Sequence, residues 1–295
     1  MARKQNQRTE SAVKTKAREE EMRILIANAW LDLYGGSENW VLTMCQAFKK
    51  LGADVEVLTN NYGVIWSNQI EPLGVTKATG GKYDLMLINH GTHFPQVQKW
   101  QGKKVNIIHG LTPSAEKPID WADYYIGISD EIAYSLKLDD VIHNPVNTDV
   151  FVEDEGDIDI LIMSRDPKAH ERIRSQCRHL NVVGHTKRDK PLTQAQLAEV
   201  MSRSKVVIGV GRAIYEAQYC NTAQLIYDRR HYEEQQFGYW LHEGNFWDSL
   251  AYNFTQRAKV PQQSIDECLD DPILTKPRPQ QIFDYIDIAK EYLAL

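Results

Sequence analysis

Several small groups of residues in this sequence have the types and spacing to do chemistry. The first lies in the stretch Lys205–Asp228, KVVIGVGRAIYEAQYCNTAQLIYD, where a short apolar run meets Gly209 and Gly211 and is followed by Arg212 and Glu216. Glycines at a strand-to-helix turn let the backbone come close to a ligand, and the free N–H groups of the first helical turn attract an anion such as a pyrophosphate. Glu216 falls about one turn further in, where a carboxylate can accept hydrogen bonds from the two vicinal hydroxyls of a ribose. A phosphate site with an acid one turn away suggests a nucleotide, although a glycine pair alone is equally a tight turn.

His90 and His109 form a second group. Each precedes a glycine at the end of an apolar run, in KYDLMLINHG and KKVNIIHGL. Ligands of open α/β sheets bind outside the carboxyl ends of strands, so both histidines are candidates for acid–base work. Arg165 and Lys168 stand just beyond the run IDILIMS and could neutralise charge building on a departing anion. Gly35, Gly36 and Glu38 occupy a glycine turn after the first apolar run, RILIAN. Asp157 and Asp159 have the spacing of a cation-binding acid pair, but they precede their strand rather than follow it.

The elements that must position these groups alternate. Short apolar runs of strand length are separated by amphipathic helical patterns, beginning with RILIAN, a helix carrying Trp40, Val41, Met44, Cys45 and Phe48 on one face, and the strand DVEVLT. This is the right-handed βαβ opening of a doubly wound sheet. The expected organisation is a disordered polar tail at 1–21, an α/β domain at 22–152, a second at 153–278 opened by the acidic linker EDEGDID, and a terminal helix at 279–295. The tail carries six basic residues against four glutamates and almost nothing apolar. The aromatic-rich segment after Asp228, with Tyr232, Phe237, Tyr239, Trp240, Phe246 and Trp247, is expected to pack mostly into a core. Residues Pro272–Pro279 read as a loop.

With 295 residues, 42% of them hydrophobic, the chain can bury two moderate α/β cores. It has no apolar run of membrane-spanning length and no signal-peptide pattern at its start, so a soluble cytoplasmic protein is expected. Cys45, Cys177, Cys220 and Cys268 are far apart, which predicts reduced, buried thiols and no zinc site. A net charge of −6 argues against coating nucleic acid by bulk charge but allows a local basic groove, for which Lys103–Lys104 and Lys187–Lys190 are candidates.

The run GVGRAIYEAQYCNTAQLI resembles the donor-site segment of family-4 glycosyltransferases of the GT-B fold. VIHNPVNTDVF resembles that family's signature at the end of its first domain, with Pro145 where glycine is usual, and Gly35-Gly36-x-Glu38 resembles its first-strand loop. The resemblance spans roughly residues 23–295 and weakens over 229–278. It implies two Rossmann-like domains facing each other across a cleft, with a terminal helix that crosses back to the first. It implies donor contacts from Gly35, Gly36, Arg165, Lys168, Gly209, Gly211, Arg212 and Glu216, and acceptor contacts from Glu38, His90 and His109. His109, His90, Arg165 and Lys168 are the catalytic candidates, and Asn144 and Asp149 would shape the hinge. One departure stands out: the family's second glutamate would fall at Ile208.

The activity so implied is metal-independent, retaining transfer of a sugar from a nucleotide-sugar co-substrate, a UDP-sugar being the first candidate, with no other cofactor. The acceptor is a glycan or a modified nucleic-acid base, as in viral DNA glycosylation. A nucleotide-sugar epimerase and a non-catalytic nucleotide-sugar-binding protein are the alternatives, and the oligomeric state is open.

Overall fold

The computed structural model describes residues 21–32, 35–112, 114–154, 156–164, 166–184, 192–227, 237–272, 274 and 281–295. The expected tail, apart from Glu21, lies outside these residues, as do Arg165, the basic segment Lys187–Lys190, Tyr232 and most of the Pro272–Pro279 loop.

Strand β1 (Arg23–Ala27) shows why its sequence reads as a continuous apolar run. Ile24 and Ile26 point into a cluster shared with α1 (Gly36–Lys50), whereas Leu25 and Ala27 point into an opposite cluster with Phe94 and Val97. Side chains alternate along a strand, so one buried on both sides must be apolar at every position. Around it lie β2 (Asp54–Leu58), β3 (Thr76–Lys77), β4 (Lys82–Asn89), β5 (Gln101–Ile108), β6 (Tyr124–Gly127), which leads into α2 (Asp130–Leu136), and β7 (Asp140–Val141). All seven pair in parallel, in the order β3-β2-β1-β4-β5-β6-β7. The chain therefore leaves β1 toward β2 on one side and returns to β4 on the other. The carboxyl ends of β1 and β4 flank a topological switch point, where ligands of open α/β sheets bind.

A second sheet contains β8 (Ile158–Ile162), β9 (Val182–Gly184), β10 (Ser204–Gly209), β11 (Ala223–Ile226), β12 (Phe237–Trp240) and β13 (Gln263–Ser264), ordered β13-β12-β11-β10-β8-β9. Its helices are α3 (Pro167–Gln176), α4 (Gln194–Ser202), α5 (Arg212–Tyr219), α6 (Phe246–Ala251) and α7 (Ile265–Asp270). Strands β8 to β11 are parallel, and β8, flanked by β9 and β10, makes a second switch point. At one edge β12 runs antiparallel to both β11 and the edge strand β13, which the sequence reading did not resolve. In the aromatic segment Tyr239, Trp240 and Phe246 are core residues, but Phe237 and Trp247 are exposed. The architecture is thus mixed α/β, with a seven-stranded parallel sheet, a second mixed sheet and helices packed on both.

The last helix, α8 (Tyr285–Ala294), packs on α1. Tyr285, Ile288, Ala289 and Tyr292 belong to the first sheet's core, with Tyr292 meeting Trp40 edge-on at 5.8 Å. Asp149 ties this corner together, accepting from Lys50 Nζ at 2.6 Å and the Tyr285 hydroxyl at 2.5 Å. The four cysteines are free and buried. Among the described residues no helix is long and apolar enough to cross a membrane.

Candidate functional site

The carboxyl ends of three adjacent strands build one wall. Asn28 follows β1, His90 follows β4 and His109 follows β5. His90 is buried and holds a left-handed backbone, φ 51°, a conformation that non-glycine residues adopt mainly where the surroundings fix them. Both of its ring nitrogens are engaged. Nδ1 accepts the Ala29 N–H at 3.3 Å, so Nε2 carries an N–H, which faces Glu116 Oε1 at 3.3 Å.

Glu116 is the residue that sequence reasoning missed. Burial by itself would raise its carboxyl, yet the His90 N–H, the two nearby imidazoles and the His109 backbone N–H together hold it below the ordinary carboxylate range. Oε2 accepts the His109 backbone N–H at 2.8 Å, so one buried carboxylate fixes both histidine turns. Its sequence context, LTPSAEKP, has no hydrophobic period and no motif that marks it.

His109 differs from His90. Asn89 Nδ2 donates to Asn28 Oδ1 at 3.2 Å, which turns Asn89 Oδ1 toward His109 Nε2 at 3.1 Å. Nε2 therefore carries the proton and Nδ1 keeps its lone pair, which no described residue takes. Burial, against the pull of Glu116 and with the nearby His90 and the Arg212 cation adding to it, lowers the imidazole to about 4. Such a ring is neutral at physiological pH and a weak base, better suited to accepting a hydrogen bond than to carrying a proton.

The second wall is the β10–α5 turn. Gly211, at φ 57° and ψ −129°, has a backbone that L side chains do not adopt comfortably. Its N–H donates to Phe254 O at 3.0 Å, and Asn253 and Phe254 are themselves left-handed. The N–H groups of Arg212 and Ala213, by their place in the first turn of α5, have no intrahelical acceptor. Gly209 is needed for close packing, since an added Cβ would stand 3.2 Å from Met163. Ile208, where the second family glutamate would fall, is fully buried in β10.

Arg212 and Glu216 form a buried pair, Nε to Oε1 at 2.8 Å, one helical turn apart. Burial pushes Glu216 upward against the opposing pull of Arg212, and the guanidinium stays charged in any protein setting. A terminal nitrogen of Arg212 crosses to the first sheet and donates to Thr43 Oγ1 on α1 at 2.7 Å, where Gln194 of α4 also donates at 3.1 Å. The remaining terminal nitrogen, Nη1, is buried without a hydrogen-bond partner.

The other candidates sit differently. Gly35 is buried at the start of α1, because the Glu38 carboxylate folds back over it so closely that a Cβ would stand 2.2 Å from Oε2. Gly36 is exposed. Lys168 is exposed in the first turn of α3, its N–H on the capping Asp166 at 2.9 Å, and Arg165 lies outside the described residues. Asp157 and Asp159 are paired with Arg203 and Lys205 at 2.8 and 2.7 Å. Asn144 donates to Asn253 at 3.1 Å, joining the segment after β7 to the glycine turn's support. The structure thus brings together His90, His109, Arg212 and Glu216, adds Glu116 and Thr43, and leaves Lys168 on the surface.

No family model matches the sequence, and no curated protein matches it. Among solved structures, the crystal structure of a glycosyltransferase from Rickettsia africae ESF-5 aligns with 70% of this chain and 79% of its own, at a TM-score of 0.48 and 13% identity.

Proposed function

We propose that this chain is a GT-B glycosyltransferase that takes a sugar from a nucleoside diphosphate donor, a UDP-sugar first among them, and passes it to a hydroxyl held at the first sheet. The observation that carries the reading is the meeting of the two switch points. Arg212 of the second sheet lies within electrostatic reach of His109 of the first and donates to Thr43, beside a glycine turn with open helical N–H groups. Departure of a nucleoside diphosphate builds negative charge on its phosphates, and a cation with an unpartnered buried N–H, set at a helix start, opposes that charge. Lys168, exposed in the first turn of α3, would add to it.

Arg212 is paired with Glu216 Oε1. A diphosphate drawing the guanidinium away would free Glu216 Oε1 for the ribose hydroxyls, so one residue exchange would prepare both halves of the donor site. Neutral His109 accepts a hydrogen bond from a sugar hydroxyl at Nδ1, and Glu116 with His90 holds it in place. The family resemblance supports retention of configuration and a site that works without a metal.

The test is a thermal-shift screen with UDP-, GDP-, TDP- and CMP-sugars, because binding to the native state raises its melting temperature. Release of nucleoside diphosphate is measured in parallel. Glu216→Gln should weaken donor binding by about 1.5–3 kcal/mol through loss of charged hydrogen bonds. A folded variant with unchanged donor affinity refutes the assignment.

A further inference from the structure

Along the carboxyl edge of the first sheet, side chains follow the strand order β2-β1-β4-β5. Asn61 lies beyond β2, Trp30 beyond β1, His90 beyond β4 and His109 beyond β5. Trp30 and Asn61 pair as a parallel bridge, which sets their side chains next to each other. The ring centroids continue the row, with Trp30 5.4 Å from His90 and His90 6.5 Å from His109. His93 meets Trp30 edge-on at 5.1 Å.

Trp30 is 40% exposed, although its backbone is firmly held. Asn28 Nδ2 donates to its carbonyl at 2.7 Å, and the Leu31 N–H donates to Asn61 O at 3.0 Å. Asn61 Nδ2 donates to Asp32 Oδ2 at 3.0 Å, and Gly63 packs so closely on Asp32 that a Cβ there would stand 2.3 Å from its Cα. A large indole thus stands at the surface on a hydrogen-bonded turn, with a carboxylate and an amide at its side and the candidate site one ring away.

We propose that Trp30, with Asp32 and Asn61, is the platform that holds a pyranose ring of the acceptor. The C–H face of a sugar packs on an indole, while a neighbouring carboxylate and amide take its hydroxyls. Among the described residues no lysine or arginine pairs with Asp32, so the rim offers a negative charge where a nucleic-acid backbone needs positive ones. A glycan fits this edge and a nucleic acid does not. The word acceptor rests on the glycosyltransferase reading; the sugar platform does not depend on it.

Saturation-transfer NMR on the full chain with a panel of methyl pyranosides tests the platform, with donor thermal shifts measured on the same samples. Ring C–H protons of one or more glycosides should receive saturation, with affinity falling about tenfold in Trp30→Ala and less in Trp30→Phe. Asp32→Asn should weaken binding while leaving the donor shift intact. Absence of transfer from every glycoside, equal affinity in Trp30→Ala, or a single-stranded oligonucleotide whose binding, rather than a glycoside's, depends on Trp30 overturns the platform. If Trp30→Ala does not fold, Asp32→Asn decides, and unchanged glycoside affinity in that variant overturns it. Glycoside binding without any donor shift would keep the platform and remove the glycosyltransferase reading; a donor shift without glycoside binding would do the reverse.

Discussion

Replacing Arg212 by Met keeps most of the buried stem and removes the charge, which leaves Glu216 at 3% exposure without its partner. An uncompensated buried charge costs about 3–5 kcal/mol. The carboxyl can limit that cost by taking a proton. From its ordinary value of 4.5, neutralisation at about pH 7 costs roughly 3 kcal/mol, and at about pH 5 under 1 kcal/mol. In the variant the folded-state carboxyl lies above its unfolded value, so the folded state binds the extra proton and stability falls as pH rises through that window. The destabilisation relative to the parent should therefore shrink by about 2 kcal/mol between neutral and mildly acidic solution. Adding Glu216→Leu removes the stranded group, and the double variant should return to within about 2 kcal/mol of the parent with that pH dependence gone. Urea midpoints at the two pH values for the parent, the single variant and the double variant are the measurement. A single variant equally unstable at both, or a double variant no better than the single, refutes the pairing.

Thr43→Val removes the acceptor shared by Arg212 and Gln194 while keeping shape, and should cost about 1–3 kcal/mol, read by calorimetry as a lower melting temperature. Gly211→Ala places a Cβ at φ 57° and should cost about 1–3 kcal/mol; a variant that melts with the parent would show that the turn tolerates side chains. His109 is held below its unfolded value, so the unfolded chain binds more protons between about 4 and 6.5 and stability falls as pH drops through that range. His109→Gln should flatten this acid limb in pH-dependent melts, and an unchanged limb would place the titration elsewhere.

Most of the fold was legible because the runs RILIA, DVEVL and KVVIG have strand length and little polarity, and the α1 face repeats at helical spacing. Gly211 was legible as a turn because only a special backbone needs glycine between an apolar strand and a helix. The antiparallel edge of β12 and β13 was not, since Phe237–Trp240 lies in an aromatic segment whose residues divide between core and surface. The roles of His90 and His109 looked alike in sequence, as each ends a strand before glycine. They separate only through Ala29, Asn89 and Glu116, partners that lie 7 to 61 positions away along the chain. Thr43 was hidden for a similar reason: inside an apolar helix face it reads as an ordinary small residue, and its two donors come from the other sheet.

The Arg212–Glu216 pair is also poor material for stability alone. Well-packed apolar residues of the same volume hold a junction as well as a buried ion pair or better, since the ions give up hydration that their attraction barely restores. Specificity of docking could favour a polar junction, but Thr43 and Gln194 already supply oriented hydrogen bonds without any net charge. What the pair adds is a cation and an anion held ready at a glycine turn, with the guanidinium nitrogen Nη1 buried and unpartnered. An anionic ligand with neighbouring hydroxyls would engage the cation and the carboxylate at once. A nucleoside diphosphate has that combination, and a simple phosphate lacks the hydroxyls. Binding of UDP but not of inorganic phosphate at this junction would therefore separate a nucleotide site from a general anion site.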